Sequence, residues 1–250
     1  MKSKRWLSAS VYALLHVVVF LIGFLLVRSD GKVAPNVGAS LMAAGIVGWV
    51  IFVYIFLSES RVERFEIISQ FGFVSAFEAR ASRIKSEYDQ RLNRAAKSID
   101  IMGFGLRALW DDYHEQFPQW QGRANVRILL IDPSSPYADQ RDKEEDDLPG
   151  NIRQSVLRFL RDTKTLRASA GRHRFQIRLY TCLPSVNIFR VDDDLFWGPY
   201  LVHEQSRNAP TFIVRNGGIL FRRMTSQFDK IWQDDQLSRP VRQEDEGDVQ

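Results

Sequence analysis

The chain has 250 residues, a formal net charge of +4 and 45% hydrophobic residues, values an ordinary soluble protein would share if its apolar residues were evenly spread. They are not: residues 8–57 hold two long apolar runs, and the remaining stretch of about 190 residues is the size of one domain. The single cysteine, Cys182, excludes an intrachain disulfide and a Cys-x-x-Cys metal motif, and it suits a reducing compartment.

The first apolar run, Ser8 to Val27, carries no formal charge and is long enough, at about 1.5 Å rise per residue, to cross a hydrocarbon core as a helix. A second run, Val37 to Leu57, follows after a short turn containing Gly31 and Pro35. The pair is expected to form an antiparallel transmembrane hairpin. A cleaved signal peptide fits less well, because the first run is long and a second span follows at once. Lys2, Lys4 and Arg5 before the first span, and Arg61 and Arg64 after the second, outweigh Arg28 and Lys32 in the turn, so both termini are expected in the cytoplasm. Ser40, Ala44 and Gly48 recur every four residues, a small-residue stripe that permits close helix approach, either within the hairpin or between copies. His16 lies mid-span, where it either bonds across the hairpin or lines an interior path.

Residues 59–97 are rich in charge, and Phe77, Ala81, Ile84, Tyr88 and Leu92 recur at three and four residues, which predicts an amphipathic helical linker. Beyond it, strands alternate with helices. Ser98–Gly103, Asn125–Asp132, Phe175–Leu183, Asn187–Val191, Leu195–Leu201, Thr211–Val214 and Ile219–Phe221 read as strands. Leu106–Phe117, Asn151–Leu166 and Arg223–Gln233 read as helices, and residues 134–147 as a loop or short helix. The pattern predicts an α/β sandwich on a mixed sheet over residues 98–238, with a disordered acidic tail over 239–250.

Within this pattern, Ser185, Asn187 and Asp192, followed by an apolar strand and Gly198-Pro199, resemble the phospholipase D signature of His-x-Lys, four residues, Asp, then a strand and Gly-Ser. The likeness covers residues 97–235, one half of a two-motif enzyme. It implies a phospholipase D-like mixed-sheet fold, a pocket shaped for phosphate, and Ser185 and Asn187 at the positions of the nucleophilic histidine and the phosphate-holding lysine. A serine hydroxyl without a base is a poor nucleophile and asparagine carries no charge, so phosphodiesterase chemistry is expected to be lost. No other His-x-Lys, P-loop, Gly-x-Ser-x-Gly or His-Glu-x-x-His motif occurs.

A pocket that has lost its nucleophile still suits a phosphate-bearing ligand. The expected ligand-binding residues are Gly103, Phe104 and Gly105, which offer backbone N–H groups and an aromatic face, together with Asp132, Arg141, Ser185 and Asn187. Asp132 ends a buried-looking strand and reads equally well as a cap for the next turn. Arg190 and Arg215 are further candidate phosphate partners, with Arg190 ranked below Ser185 and Asn187 because strand alternation puts it on the face opposite Ser185, Asn187 and Phe189. The acidic runs Glu144–Asp147 and Asp192–Asp194 read as polar turns; no metal and no cofactor is expected. The plan of hairpin, linker and compact sensor resembles two-span membrane effectors of bacterial antiphage systems that respond to nucleotide signals. That resemblance implies a protein of the bacterial inner membrane whose partners are the lipid bilayer, a nucleotide second messenger and further copies of itself, with no nucleic-acid polymer among them. A membrane-bound phosphodiesterase and a recruitment scaffold are the alternatives.

Overall fold

The computed structural model describes residues 2–29, 33–78, 84–169, 171–183 and 185–246, with backbone alone at 2–10, 56–64 and 246. The side chains of Lys2, Lys4, Arg5, Arg61 and Arg64, and the turn residues Gly31 and Lys32, therefore lie outside the described part. The chain divides into two units, residues 1–67 and 68–250.

The first unit is a pair of helices, α1 (Lys2–Val27) and the start of α2 (Ala34–Phe71). They run antiparallel and approach so closely that side chains on several glycines would collide with backbone. A Cβ on Gly23 would lie 2.7 Å from the Gly38 carbonyl oxygen, and one on Gly45 would lie 2.9 Å from the Phe20 Cβ. The His16 ring fills the space over Gly48, and its Nδ1 is 2.9 Å from the Tyr12 carbonyl one turn earlier. Of the expected small-residue stripe, Gly48 faces α1 while Ser40 and Ala44 are exposed; Gly38 and Gly45 complete the contact. Outward-facing apolar side chains cover the pair: Leu14, Leu25, Val50 and Tyr54 are each more than 60% exposed. Among the described residues, one segment, Ala34–Ile55, is long and apolar enough to cross a membrane, and the apolar part of α1, Val11–Val27, is shorter.

The second unit is built on an eight-stranded mixed sheet of β1 (Phe73–Phe77), β2 (Ser98–Gly103), β3 (Asn125–Ile131), β4 (Phe175–Tyr180), β5 (Val186–Val191), β6 (Asp194–Pro199), β7 (Thr211–Arg215) and β8 (Ser238–Pro240). Their order is β1-β7-β6-β5-β2-β3-β4-β8. β2, β3 and β4 are parallel, and every other neighbouring pair is antiparallel. One face packs against α3 (Ile84–Leu92), α4 (Arg107–Tyr113), α5 (Phe117–Arg123) and α7 (Asn151–Asp162), as Tyr88 meets Phe189 and Phe196, and Phe117 meets Phe159 and Phe175. α6 (Pro136–Glu144) and the short α8 (Lys164–Ala168) flank α7. α9 (Ile219–Gln233) covers the other face, its Phe228 and Trp232 rings lying under the Arg127 guanidinium.

That second face also holds a buried ionic cluster. Asp100, 1% exposed, accepts two hydrogen bonds from Arg127 and pairs with Arg190, while Arg127 also reaches Asp229 on α9. Arg190 thus lies opposite Asn187 and Phe189, as strand alternation expects.

Three sequence expectations change. The segment 59–97 is not one helix: α2 ends at Phe71, Gly72 takes a positive φ of 80°, and Phe73–Phe77 joins the sheet edge beside β7. The triplet Ile219–Phe221 opens α9 and is not a strand, because Phe221, Phe228 and Ile231 bury along a helical face. The acidic tail is ordered as far as Glu246. Ser238–Pro240 pairs with β4, and Arg239 bonds both Asp132 (2.7 Å) and Asp245 (two contacts of 2.6 Å). An acidic segment needs a fixed cation to fold back, and Arg239 supplies it. Residues 247–250 lie outside the described part.

Candidate functional site

Four of the seven expected ligand-binding residues come together. Gly103 ends β2, and antiparallel β5 brings Asn187 beside it, since Met102 is paired with Ile188. Phe104 and Gly105 follow, and the chain then turns through Leu106, whose φ of 49° is left-handed, into α4. These residues line a cavity of about 130 Å³ at the carboxyl edge of β2, with Arg107 from α4, Asn151 and Ser155 from α7, and Tyr200 and Arg207 after β6. Gly105 permits the wall to close, because a Cβ there would lie 2.9 Å from the Ser155 Cβ.

The other three residues lie elsewhere. Ser185 is exposed and outside the lining, its carbonyl facing the Tyr200 N–H at 3.5 Å. Arg141 is 1% exposed and sits behind the wall. It donates from Nε and Nη2 to Glu145, from Nη1 to the Leu201 carbonyl and from Nη2 to the Glu204 carbonyl, with its guanidinium 5.0 Å from the Tyr200 ring centre. It positions the 201–206 loop that carries part of the lining. Asp132 accepts from the Ser134 N–H and hydroxyl and pairs with Arg239, so it caps the turn after β3 and holds β8. Its neighbourhood matches the capping alternative.

The acidic runs are similarly engaged. Glu145 accepts from Arg141 and from the Ser206 hydroxyl at 2.9 Å. Asp147 binds Arg107, the Asn151 amide and the Leu148 N–H. Burial alone would raise the Asp147 pKa, but these partners outweigh it and hold the carboxyl below its ordinary value. Asp142, beneath the same corner, caps α7 by accepting from the Gly150 and Ile152 N–H groups; burial prevails there and its pKa is raised. Asp192, at the β5–β6 turn with φ 51°, accepts from the N–H groups of Ala96, Lys97 and Ser98, fixing the start of β2.

The cavity thus presents two guanidinium groups, Arg107 and Arg207, and three carboxylates, Asp111, Glu145 and Asp147, with Arg107 paired to Asp147; Asn187, Ser155 and Tyr200 add neutral hydrogen-bonding groups, and the buried Phe104 ring packs against Tyr200. No histidine, lysine or cysteine is among the described lining residues. Sequence reasoning missed Arg107 and Arg207. Arg107 stands two residues beyond the Gly-Phe-Gly turn, the one cue available for it, whereas nothing local distinguishes Arg207.

No curated protein matches the chain. Among solved structures, the chain is similar to TrmBL2, described as an archaeal chromatin protein with a novel mode of DNA binding, at 13% identity and a TM-score of 0.42 over 81% of this chain and 70% of that one. The sequence-based exclusion of a nucleic-acid polymer as partner is corrected on this finding, since a DNA-binding protein stands among the similar structures. At that TM-score the likeness assigns no partner to this chain. The strands of the sheet, from Phe73 to all but the last residue of β8, lie within the segment that a family match covers. By that match over residues 72–239, the chain belongs to the family described as a domain of unknown function, DUF5919.

Proposed function

We propose that this protein is a membrane-anchored sensor whose DUF5919 domain, a phospholipase D-like fold without the catalytic pair, binds a nucleotide without turning it over and thereby controls the helical hairpin in the membrane. The observation that carries the reading is the convergence of Gly103, Phe104, Gly105 and Asn187 on one cavity that also holds Arg107 and Arg207. Two guanidinium forks match phosphate oxygens, and a phosphate would take Arg107 from its pairing with Asp147, beside the carboxylates Asp111 and Glu145 that also line the cavity. The lining offers no side chain with the nucleophilicity of the family's histidine, which supports binding without hydrolysis.

The apolar exterior of α1 and α2 and the length of Ala34–Ile55 support a bilayer as the surroundings of the first unit. The basic flanks noted in the sequence favour both termini on the cytoplasmic side of a bacterial inner membrane. The role in antiphage defence rests on resemblance in plan alone. A ligand can shift the hairpin only by binding one state better, and a 100-fold preference corresponds to about 2.7 kcal/mol.

The test is calorimetry of the full chain in detergent against a panel of cyclic di- and oligonucleotides. At least one member is expected to bind below about 100 μM, a moderate affinity of about 5.5 kcal/mol. Joint Arg107→Ala and Arg207→Ala replacement is expected to weaken it at least about tenfold, since each hydrogen bond to a charged group contributes about 1.5–3 kcal/mol. Absence of binding across the panel, or binding indifferent to both arginines, overturns the site. Phosphodiester turnover by the purified chain overturns the non-catalytic reading.

A further inference from the structure

The strand directions give the sheet two unlike edges. The cavity lies at the edge where β2 ends and β5 begins. At the opposite edge, β2, β3 and β4 begin, β5 and β7 end, and β1 starts directly after Gly72. The Gly72 backbone is packed there against Gly218 and accepts a hydrogen bond from the Arg215 N–H. The chain therefore arrives from α2 at the edge remote from the ligand cavity.

That edge is basic. Arg94 precedes β2, Arg123 precedes β3, and Arg172 and Arg174 precede β4; all four are exposed. Among the described residues no carboxylate pairs with any of them: Arg123 donates to the Asn93 carbonyl, and the Arg174 backbone N–H donates to the Asn125 side chain. Arg222 and Arg223, also exposed, add charge next to Gly72 through the first turn of α9. The acidic residues of this edge are engaged locally. Asp194 is held by Arg91 and Arg215, Asp193 lies 3.9 Å from Lys97, and Asp192 takes three backbone N–H groups. Below β4 the surface opens into a cavity of about 330 Å³ between Arg167 and Arg174, large enough for a phosphate-bearing headgroup. Six strand spacings of about 4.8 Å separate β1 from β4, so the basic groups span roughly 30 Å along the edge.

We infer that this edge is a docking surface for anionic lipid headgroups, which fixes the DUF5919 domain against the bilayer with its ligand cavity turned to the cytoplasm. The inference rests on the membrane-anchored reading above. Two observations combine: the unpaired positive charge lies on the edge where the chain arrives from the apolar helix, and of the acidic residues nearby Asp194 is paired with two arginines while Asp192 is held by backbone N–H groups. The part of α2 from Ile55 to Phe71 tethers the edge to the span over at most about 24 Å, so weak contacts suffice once it meets the surface. Each arginine near an anionic leaflet contributes about a fivefold factor, and each is screened by salt.

The full chain is reconstituted in nanodiscs of phosphatidylcholine alone or with about one-third phosphatidylglycerol, and amide hydrogen exchange is followed at residues 121–126 and 171–176. Slower exchange in the anionic discs is expected, by at least about tenfold at low salt, reverting in high salt. The triple variant Arg123→Gln, Arg172→Gln, Arg174→Gln is expected to abolish the difference, and the same positions as lysine to restore it. Equal exchange in the two lipids overturns the inference, and so does protection by duplex DNA that anionic lipid does not give. Carbonate extraction of native membranes separates the two readings: a chain released by carbonate refutes the anchor, whereas a chain retained with lipid-independent exchange refutes the docking edge alone.

Discussion

Truncation after Arg242 tests whether the acidic C-terminal segment belongs to the fold. The cut removes Asp245, whose side chain is 8% exposed and whose two carboxylate oxygens each meet Arg239 at 2.6 Å, with the Arg242 N–H at 2.7 Å. Arg239 would keep its bond to Asp132, but half of its fork and the β8 pairing around it would lose their support. The hydrogen bond from Arg239 is the chief cause holding the Asp245 carboxyl below its ordinary pKa, so the pair favours the folded state at neutral pH. Two charge-assisted bonds at a site about one-fifth exposed, discounted for that solvent access, contribute about 1.5–3 kcal/mol. At about 2–4 °C per kcal/mol for a domain of this size, the Tm should fall by roughly 3–12 °C. The assay is tryptophan fluorescence on heating the full chain in detergent, beside a control ending at Glu246. A truncation at Arg242 that melts within about 1 °C of the control would refute the ordered tail and the role given to Arg239.

Further outcomes follow from other contacts. Gly198→Ala would put a Cβ 2.5 Å from the Pro210 carbonyl oxygen, a backbone atom that cannot swing aside, so a loss of at least about 2 kcal/mol in urea unfolding is expected. Asp194 is partly buried, which alone would raise its pKa, but hydrogen bonds from Arg215 and Arg91 prevail and lower it. A depressed folded-state pKa stabilises above the unfolded value of about 3.9 and ceases to as pH falls through the folded value. The stability gap between the intact chain and Asp194→Asn should therefore be constant from about pH 5 to 7 and close below about pH 4; a gap that widens on acidification contradicts the assignment.

Much of the sheet was legible because its central strands carry their own signal. Ser98–Gly103 was read with its observed bounds, and Asn125–Ile131 and Val186–Val191 to within a residue, since each is a short apolar run bounded by polar or turn residues. The edge strands carry no such signal. Phe73–Phe77 is almost wholly exposed and pairs on one side alone, and Ser238–Pro240 contains a proline; both exist because a neighbour accepts them. In the hairpin the four-residue spacing of Ser40, Ala44 and Gly48 pointed to a stripe, yet the contact follows Gly38, Gly45 and Gly48, because the closest approach depends on which face the partner helix meets.

The site was half legible for a related reason. The Gly-Phe-Gly turn and Asn187 are local features of strands whose pairing the sequence implied. Arg141 was chosen for its charge, but its position on α6 buries it against Glu145, a fact that depends on the 201–206 loop folding over it. Arg107 and Arg207 are 100 residues apart in sequence, and only the tertiary fold brings them to one cavity.

The most direct test of the central claim couples the cavity to the membrane. Liposomes loaded with a self-quenching dye and carrying the full chain are exposed to whichever cyclic nucleotide binds in calorimetry. Dye release should change, in either direction, over the concentration range of binding, and the change should vanish in the Arg107→Ala, Arg207→Ala variant while the protein remains in the membrane. A nucleotide that saturates the cavity and leaves release unaltered would contradict control of the hairpin by the DUF5919 domain.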